Sequence, residues 1–203
     1  MTFQDLNLNT PLYNALDDLG FTTPTPIQAE SFNVVAGGKD VVGIAQTGTG
    51  KTFAYMLPIL KNLPFSKQEN PRVLILVPTR ELVVQVVNEI EKLSKYINTR
   101  VLGVYGGTNI NTQAKDLSNG VDILVATPGR LLDLHKQDCI NLDYIETLVL
   151  DEADLMLDMG FIDDVRKIER LCPSEKQVLL FSATMPAKVV QLANTILKEP
   201  ETV

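Results

Sequence analysis

The chain has 203 residues, 45% of them hydrophobic and 21% charged, which suits one well-buried domain and falls short of two. A formal net charge of −7 argues against a protein that coats nucleic acid through many cationic side chains, while leaving room for a narrow local groove. No apolar run approaches the roughly 20 residues needed to span a bilayer, and the start Met1-Thr2-Phe3-Gln4-Asp5 lacks the basic and apolar regions of a signal peptide. Cys139 and Cys172 form no C-x-x-C pair and His135 is the only histidine, which argues against a zinc site and predicts two reduced thiols in a cytoplasmic protein.

In chain order, Thr10-Pro11 predicts the N-cap and first residue of a helix that stops at Gly20. The stretch 21–26 carries Pro24 and Pro26 and is expected to be extended, because the residue before a proline is pushed out of the α region. A second helix is predicted over about 27–36, stopping at Gly37-Gly38. The apolar runs 41–44, 73–77, 101–104, 123–125, 148–150 and 178–181 read as parallel strands buried on both faces. Residues 62–71 read as an exposed loop.

Helical spacing over 81–96 puts Leu82, Val83, Val86, Val87, Ile90 and Leu93 on one stripe. A last helix is predicted over 186–198, opening on Pro186 where proline is tolerated. The alternating order predicts an α/β fold with a doubly wound, mainly parallel sheet flanked by helices. Ligands of such sheets bind beyond the carboxyl ends of the strands. Each polar motif in the chain directly follows an apolar run, so all of them are expected at that one edge.

The first motif is Ala45-Gln46-Thr47-Gly48-Thr49-Gly50-Lys51-Thr52, set between a predicted strand and a predicted helix as a phosphate-binding P-loop requires. Its glycines let backbone N–H groups approach an anion at a helix N-terminus. Lys51 is expected to reach the β and γ phosphates and Thr52 to hold Mg²⁺. Ala45 replaces the first glycine of the general pattern, which is harmless if its φ is negative.

Asp151 and Glu152 end another apolar run, with Asp154 close behind. Asp151 suits Mg²⁺ and Glu152 suits orienting or deprotonating an attacking water, although a solvated helix start would carry the same letters. Ser182-Ala183-Thr184 follows the last run. Its hydroxyls are placed to relay the state of a γ phosphate, and a plain N-cap by Thr184 ahead of Pro186 explains the spacing equally well.

With these residues in view, the chain resembles the N-terminal RecA-like domain of DEAD-box ATP-dependent RNA helicases over essentially its whole length. The shared motifs, in order, are Gly20-Phe21 with Pro24-Thr25-Pro26-Ile27-Gln28, the P-loop, Pro78-Thr79-Arg80-Glu81-Leu82, Gly106-Gly107, Thr127-Pro128-Gly129-Arg130, Asp151-Glu152-Ala153-Asp154 and Ser182-Ala183-Thr184. Ala45 is usual in that family, and the flavour resembles its bacterial members. The resemblance implies an adenine-recognition segment at 1–36 packed on an ATP-binding domain at 37–203.

Within that frame Gln28 would read the adenine edge and Phe3 would stack on the base, making the site specific for ATP. Lys51, Asp151 and Glu152 would be catalytic, and Thr52 with Asp151 would hold Mg²⁺. The resemblance further implies RNA contacts at Thr79, Arg80, Gly107, Thr108, Thr127, Gly129 and Arg130, made to the backbone without reading sequence. It assigns coupling of nucleotide to RNA to Ser182, Thr184 and Asp154. The family's second RecA-like domain, with its arginine fingers, has no counterpart in these residues. The chain alone, expected to be monomeric, would therefore bind nucleotide and scarcely hydrolyse it. A nucleotide-gated RNA-binding module without unwinding activity is the competing reading.

Overall fold

The structure, a computed structural model, describes residues 1–203. The chain alternates helix and strand almost throughout. A 3₁₀ turn at Phe3–Leu6 precedes α1 (Thr10–Asp18) and α2 (Pro26–Ala36), and then β1 (Val41–Ile44) leads into α3 (Lys51–Asn62). β2 (Val73–Leu76), α4 (Arg80–Leu93), β3 (Val101–Val104), α5 (Ile110–Ser118) and β4 (Ile123–Ala126) follow. Then come α6 (Pro128–Lys136), β5 (Thr147–Leu150), α7 (Ala153–Asp158) and α8 (Ile162–Leu171). β6 (Gln177–Ser182), α9 (Ala187–Ile196) and β7 (Glu201–Thr202) complete the chain.

The seven strands form one sheet in the order β3-β4-β2-β5-β6-β1-β7, and every pairing is parallel. A parallel sheet covered on both faces needs apolar side chains on both, and β2, β4 and β5 are buried at every position. Alternation along β2 divides the interior. Val73 and Ile75 join a core with the Phe3–Leu6 turn and α1 to α4, whereas Leu74 and Leu76 join a second core with α5 to α9. The first four helices therefore cover one face of the sheet and the last five the other, as a doubly wound sheet requires.

Several local expectations shift. The N-cap of α1 is Asn9, with Thr10 and Pro11 inside the first turn. Gly20 does stop the helix, in the left-handed region at φ 76°. α4 begins one residue early, because Thr79 caps it by accepting the Leu82 N–H at 3.2 Å, and ends at Leu93. Pro186 is the extended N-cap of α9 and Ala187 its first residue, so Thr184 is not the cap. The β7 edge strand was not expected. Its two residues pair with β1, and Asp40 anchors the approach by accepting the N–H groups of Val178 at 2.8 Å and Lys198 at 2.7 Å. Both thiols are free, and burial pushes that of Cys172 up to about 12, which leaves it an unreactive core side chain.

Candidate functional site

At the carboxyl end of β1 the P-loop turns into α3. Gly48 and Gly50 take φ values of 83° and 81°, where a side chain would be strained, and Gly50 is the N-cap of α3. Ala45 is not in this region, and its N–H extends the ladder to the Ser182 carbonyl at 3.1 Å. An alanine is therefore unstrained there. Because β6 lies between β5 and β1, the loops after β1, β5 and β6 are neighbours.

Lys51, only 6% exposed, turns back across this gap and donates to Glu152 Oε1 at 2.5 Å, with Asp151 Oδ1 at 3.2 Å. Burial works to lower the pKa of Lys51, but the two carboxylates outweigh it and hold the ammonium protonated. Glu152 sits in the left-handed region at φ 55° and ψ 45° as the N-cap of α7. A non-glycine residue there costs on the order of 1–3 kcal/mol, and such strain clusters at functional sites. The Glu152 N–H donates to Asp151 Oδ1 at 2.8 Å, and the Tyr55 hydroxyl donates to Asp151 Oδ2 at 3.0 Å.

Thr52, Asp151 and Glu152 line one small cavity with the P-loop. No cluster of three or more His, Cys, Asp or Glu side chains could cage a metal. Hydroxyl and carboxylate donors beside a phosphate loop instead suit Mg²⁺, which favours one or two carboxylates and completes its shell with phosphate and water.

A second cavity, about 340 Å³, adjoins the first at Gly48, Gly50 and Glu89. Gln28 forms part of its wall but is 5% exposed, with both ends of its amide engaged. Its Oε1 accepts the Thr25 N–H at 2.9 Å, and its Nε2 donates to the Gly50 carbonyl at 3.1 Å. Phe3 also lines the cavity and is 4% exposed, whereas Phe21 is 48% exposed and packs edge-on against Phe53 at 5.8 Å.

The loops after β2, β4 and β3 form the other half of the same sheet edge. The Arg80 guanidinium lies over the Tyr105 ring at 5.1 Å. Arg130 donates from Nη1 to Gln113 Oε1 at 2.9 Å and from Nη2 to the Thr108 carbonyl at 3.1 Å. Gln113 in turn donates to the Tyr105 carbonyl at 3.1 Å and to Thr108 Oγ1 at 2.9 Å. Gly129 stands in the first turn of α6, where a Cβ would meet nothing within 4 Å. A helical glycine costs roughly 1 kcal/mol against alanine. Packing gives no reason for it, and its absent side chain leaves room for an external backbone.

A hydrogen-bonded knot joins the loops after β5 and β6. Asp154 Oδ2 accepts from Thr184 Oγ1 at 2.8 Å and Thr184 N at 3.2 Å, while Ser182 Oγ accepts the Asp154 N–H at 3.1 Å and donates to the Thr184 carbonyl at 2.7 Å. Burial raises the pKa of Asp154, but these bonds and the Leu155 N–H outweigh it and lower the carboxyl below its usual range.

The sequence profile of the DEAD/DEAH box helicase family matches residues 25–193. The chain belongs to that family. It is 45% identical over 201 residues to the DEAD-box ATP-dependent RNA helicase CshA of Bacillus subtilis, covering 99% of this chain and 40% of that protein. It is 46% identical over 203 residues to the ATP-dependent RNA helicase DeaD of Escherichia coli, covering 100% of this chain and 32% of that one. The crystal structure of a DEAD box protein from the hyperthermophile Methanococcus jannaschii superimposes with a TM-score of 0.93 at 39% identity, covering 100% of this chain and 55% of that chain. The fold is thus that of a DEAD-box RecA-like domain, and the chain spans less than half the length of both helicases.

Within this DEAD-box domain the sheet divides the predicted residues into two groups. Lys51, Thr52, Asp151, Glu152, Asp154, Ser182 and Thr184 gather after β1, β5 and β6, and Thr79, Arg80, Gly107, Thr108, Thr127, Gly129 and Arg130 gather after β2, β3 and β4. Phe3 and Gln28 meet the P-loop at the larger cavity but are largely enclosed. Tyr55, Tyr105 and Gln113 escaped sequence reasoning because none of them belongs to a motif and their partners lie far away in the chain or in other elements. Phe21 stands in the Gly20-Phe21 motif, just past the end of α1, and the structure leaves it exposed at the cavity.

Proposed function

We propose that this chain is the ATP-binding motor domain of an RNA helicase, acting with a second RecA-like domain of the same polypeptide. The meeting of Lys51, Asp151 and Glu152 at the P-loop carries the reading. Polyphosphate lies along the P-loop amides with the base in the adjoining cavity. Phe21 offers the open ring face, and Gln28 stands behind it as both base reader and P-loop brace. An arriving phosphate takes Lys51 from the carboxylates, and Glu152, released from the ammonium, accepts the proton of the attacking water at Oε1. Bound Mg²⁺, held by Thr52 and Asp151, supplies neutralisation of phosphate charge and a template for its geometry.

RNA meets the other half of the edge through the N-termini of α4 and α6, the Thr108 loop and the two arginines, contacts that address phosphates without reading bases. The Asp154–Ser182–Thr184 knot connects the nucleotide loops to the face that a second domain closes. An arginine finger is worth roughly 10³–10⁵ in phosphoryl-transfer rate, so this chain alone binds nucleotide and turns it over negligibly.

The test is calorimetry of ATP, ADP and GTP with and without Mg²⁺. Adenine-selective, metal-sensitive binding is expected. Equal affinity for GTP would remove the adenine assignment, and the absence of any nucleotide binding would remove the P-loop assignment.

A further inference from the structure

Tyr55 belongs to none of the motifs, yet it reaches the centre of the nucleotide half. It lies four residues after Lys51 on α3, a spacing that puts both side chains on one helix face. Tyr55 is 0% exposed, its ring packs against Phe181 with centroids 5.3 Å apart, and its hydroxyl donates to Asp151 Oδ2 at 3.0 Å. The ring alone would satisfy the packing, and phenylalanine would do so without burying a hydroxyl that must then find a partner. The hydroxyl therefore has a use of its own.

The distribution of bonds on Asp151 shows what that use is. Lys51 and the Glu152 N–H both address Oδ1, and Oδ2 has the Tyr55 hydroxyl as its one hydrogen-bond donor. A carboxylate gripped from both sides cannot rotate about its Cβ–Cγ bond. When phosphate draws Lys51 away, Tyr55 still fixes the plane of the group.

We infer that Tyr55 is a positioning residue for Mg²⁺-dependent nucleotide binding, fixing the orientation of the Asp151 carboxylate that, with Thr52, would hold the metal. The inference rests on the proposed Mg²⁺ site and adds to it a part outside the motifs.

The experiment measures ATP affinity of this chain in Mg²⁺ and in EDTA and reads the ratio of the two, for the unaltered chain, Tyr55→Phe, Asp151→Asn and the double variant. Tyr55→Phe is expected to shrink the ratio about tenfold, the usual worth of a hydrogen bond to a charged group. The double variant is expected to match Asp151→Asn alone, because Tyr55 acts only through that carboxylate. An unchanged ratio in Tyr55→Phe overturns the inference, as does an additive loss in the double variant, which would mark Tyr55 as a general packing residue. If Asp151→Asn itself keeps the ratio, the Mg²⁺ assignment of Asp151 is what has failed. Melting curves show that each variant is folded before its ratio is read. Should Tyr55→Phe not fold, Tyr55→Trp and Tyr55→Leu, which also lack the hydroxyl, carry the same comparison.

Discussion

Gln113 and Arg130, from different helices, meet side chain to side chain at 2.9 Å, and the same glutamine holds Thr108 Oγ1 and the Tyr105 carbonyl. Gln113 is 7% exposed, so it organises the loops after β3 and β4 from behind without being presented at the surface. Gln113→Ala is expected to free Arg130 and the Thr108 loop and to lower single-stranded RNA affinity by about 3- to 10-fold, the loss of one or two buried hydrogen bonds. ATP affinity should stay put. Fluorescence anisotropy with a labelled single-stranded RNA checks it. Arg130→Ala serves as comparison and should also flatten the salt slope by about 0.7, as for one phosphate contact on a single strand.

Lys51 has two jobs that one substitution separates. Lys51→Ala should weaken ATP binding by about 1.5–3 kcal/mol, the worth of a charge-assisted hydrogen bond. It should also lower the melting temperature without any ligand, because buried Asp151 and largely buried Glu152 would be left without their shared cation. Adding Glu152→Gln should recover part of the melting loss and none of the affinity. A variant that melts like the parent would show that the Lys51 ion pairs are absent in solution.

Gln28→Ala is expected to do more than erase a preference for ATP over GTP. Its Oε1 belongs to the capping box of α2 and its Nε2 holds the Gly50 carbonyl. Losing the cap costs about 1 kcal/mol of stability, and the freed P-loop should weaken ADP and GTP binding alike. Calorimetry with the three nucleotides, alongside a thermal melt, separates these effects. Selectivity lost with unchanged phosphate affinity would mean that the Gln28–Gly50 bond does not brace the loop.

Acid should loosen the opposite end of the sheet. Asp122 accepts from Arg100 N at 2.8 Å, Arg100 Nη2 at 2.9 Å and Arg72 Nη2 at 3.1 Å. Burial raises its pKa, but the bonds to Arg100 and Arg72 outweigh it and hold the carboxyl below its ordinary 3.8. A carboxyl lowered on folding contributes stability that is fully present above its unfolded pKa and disappears as pH falls through the folded one. The contribution should therefore persist down to about pH 4 and vanish below that. Urea titrations between pH 6 and pH 2 should show Asp122→Asn less stable than the parent at pH 6, with the two curves converging at the acid end.

Much of this molecule was readable from its residues. Six strands stand out because a parallel strand buried on both faces must be an apolar run, and the P-loop stands out because glycines, a lysine and a hydroxyl at fixed spacing have few other uses. Capping chemistry was less legible. Asn9, Thr79 and Pro186 are the true caps of their helices, and the choice among neighbouring polar residues depends on which one the surrounding fold leaves extended. The β7 strand, two residues long, is too short to leave a periodic signature.

The sequence by itself determined the α/β class, the family and the P-loop between β1 and α3. Only the tertiary structure decided the order β3-β4-β2-β5-β6-β1-β7, and with it which motifs are neighbours. Buried parallel strands are almost interchangeable as apolar runs, so their order is set by how the helices pack across the two faces. That packing brings Lys51 to Glu152 across 101 positions of chain and sets Tyr55 against Asp151 across 96. It also gathers the loops after β2, β3 and β4 into a separate surface. Contacts of such long range depend on three-dimensional complementarity between whole elements, and no local pattern of residues encodes them.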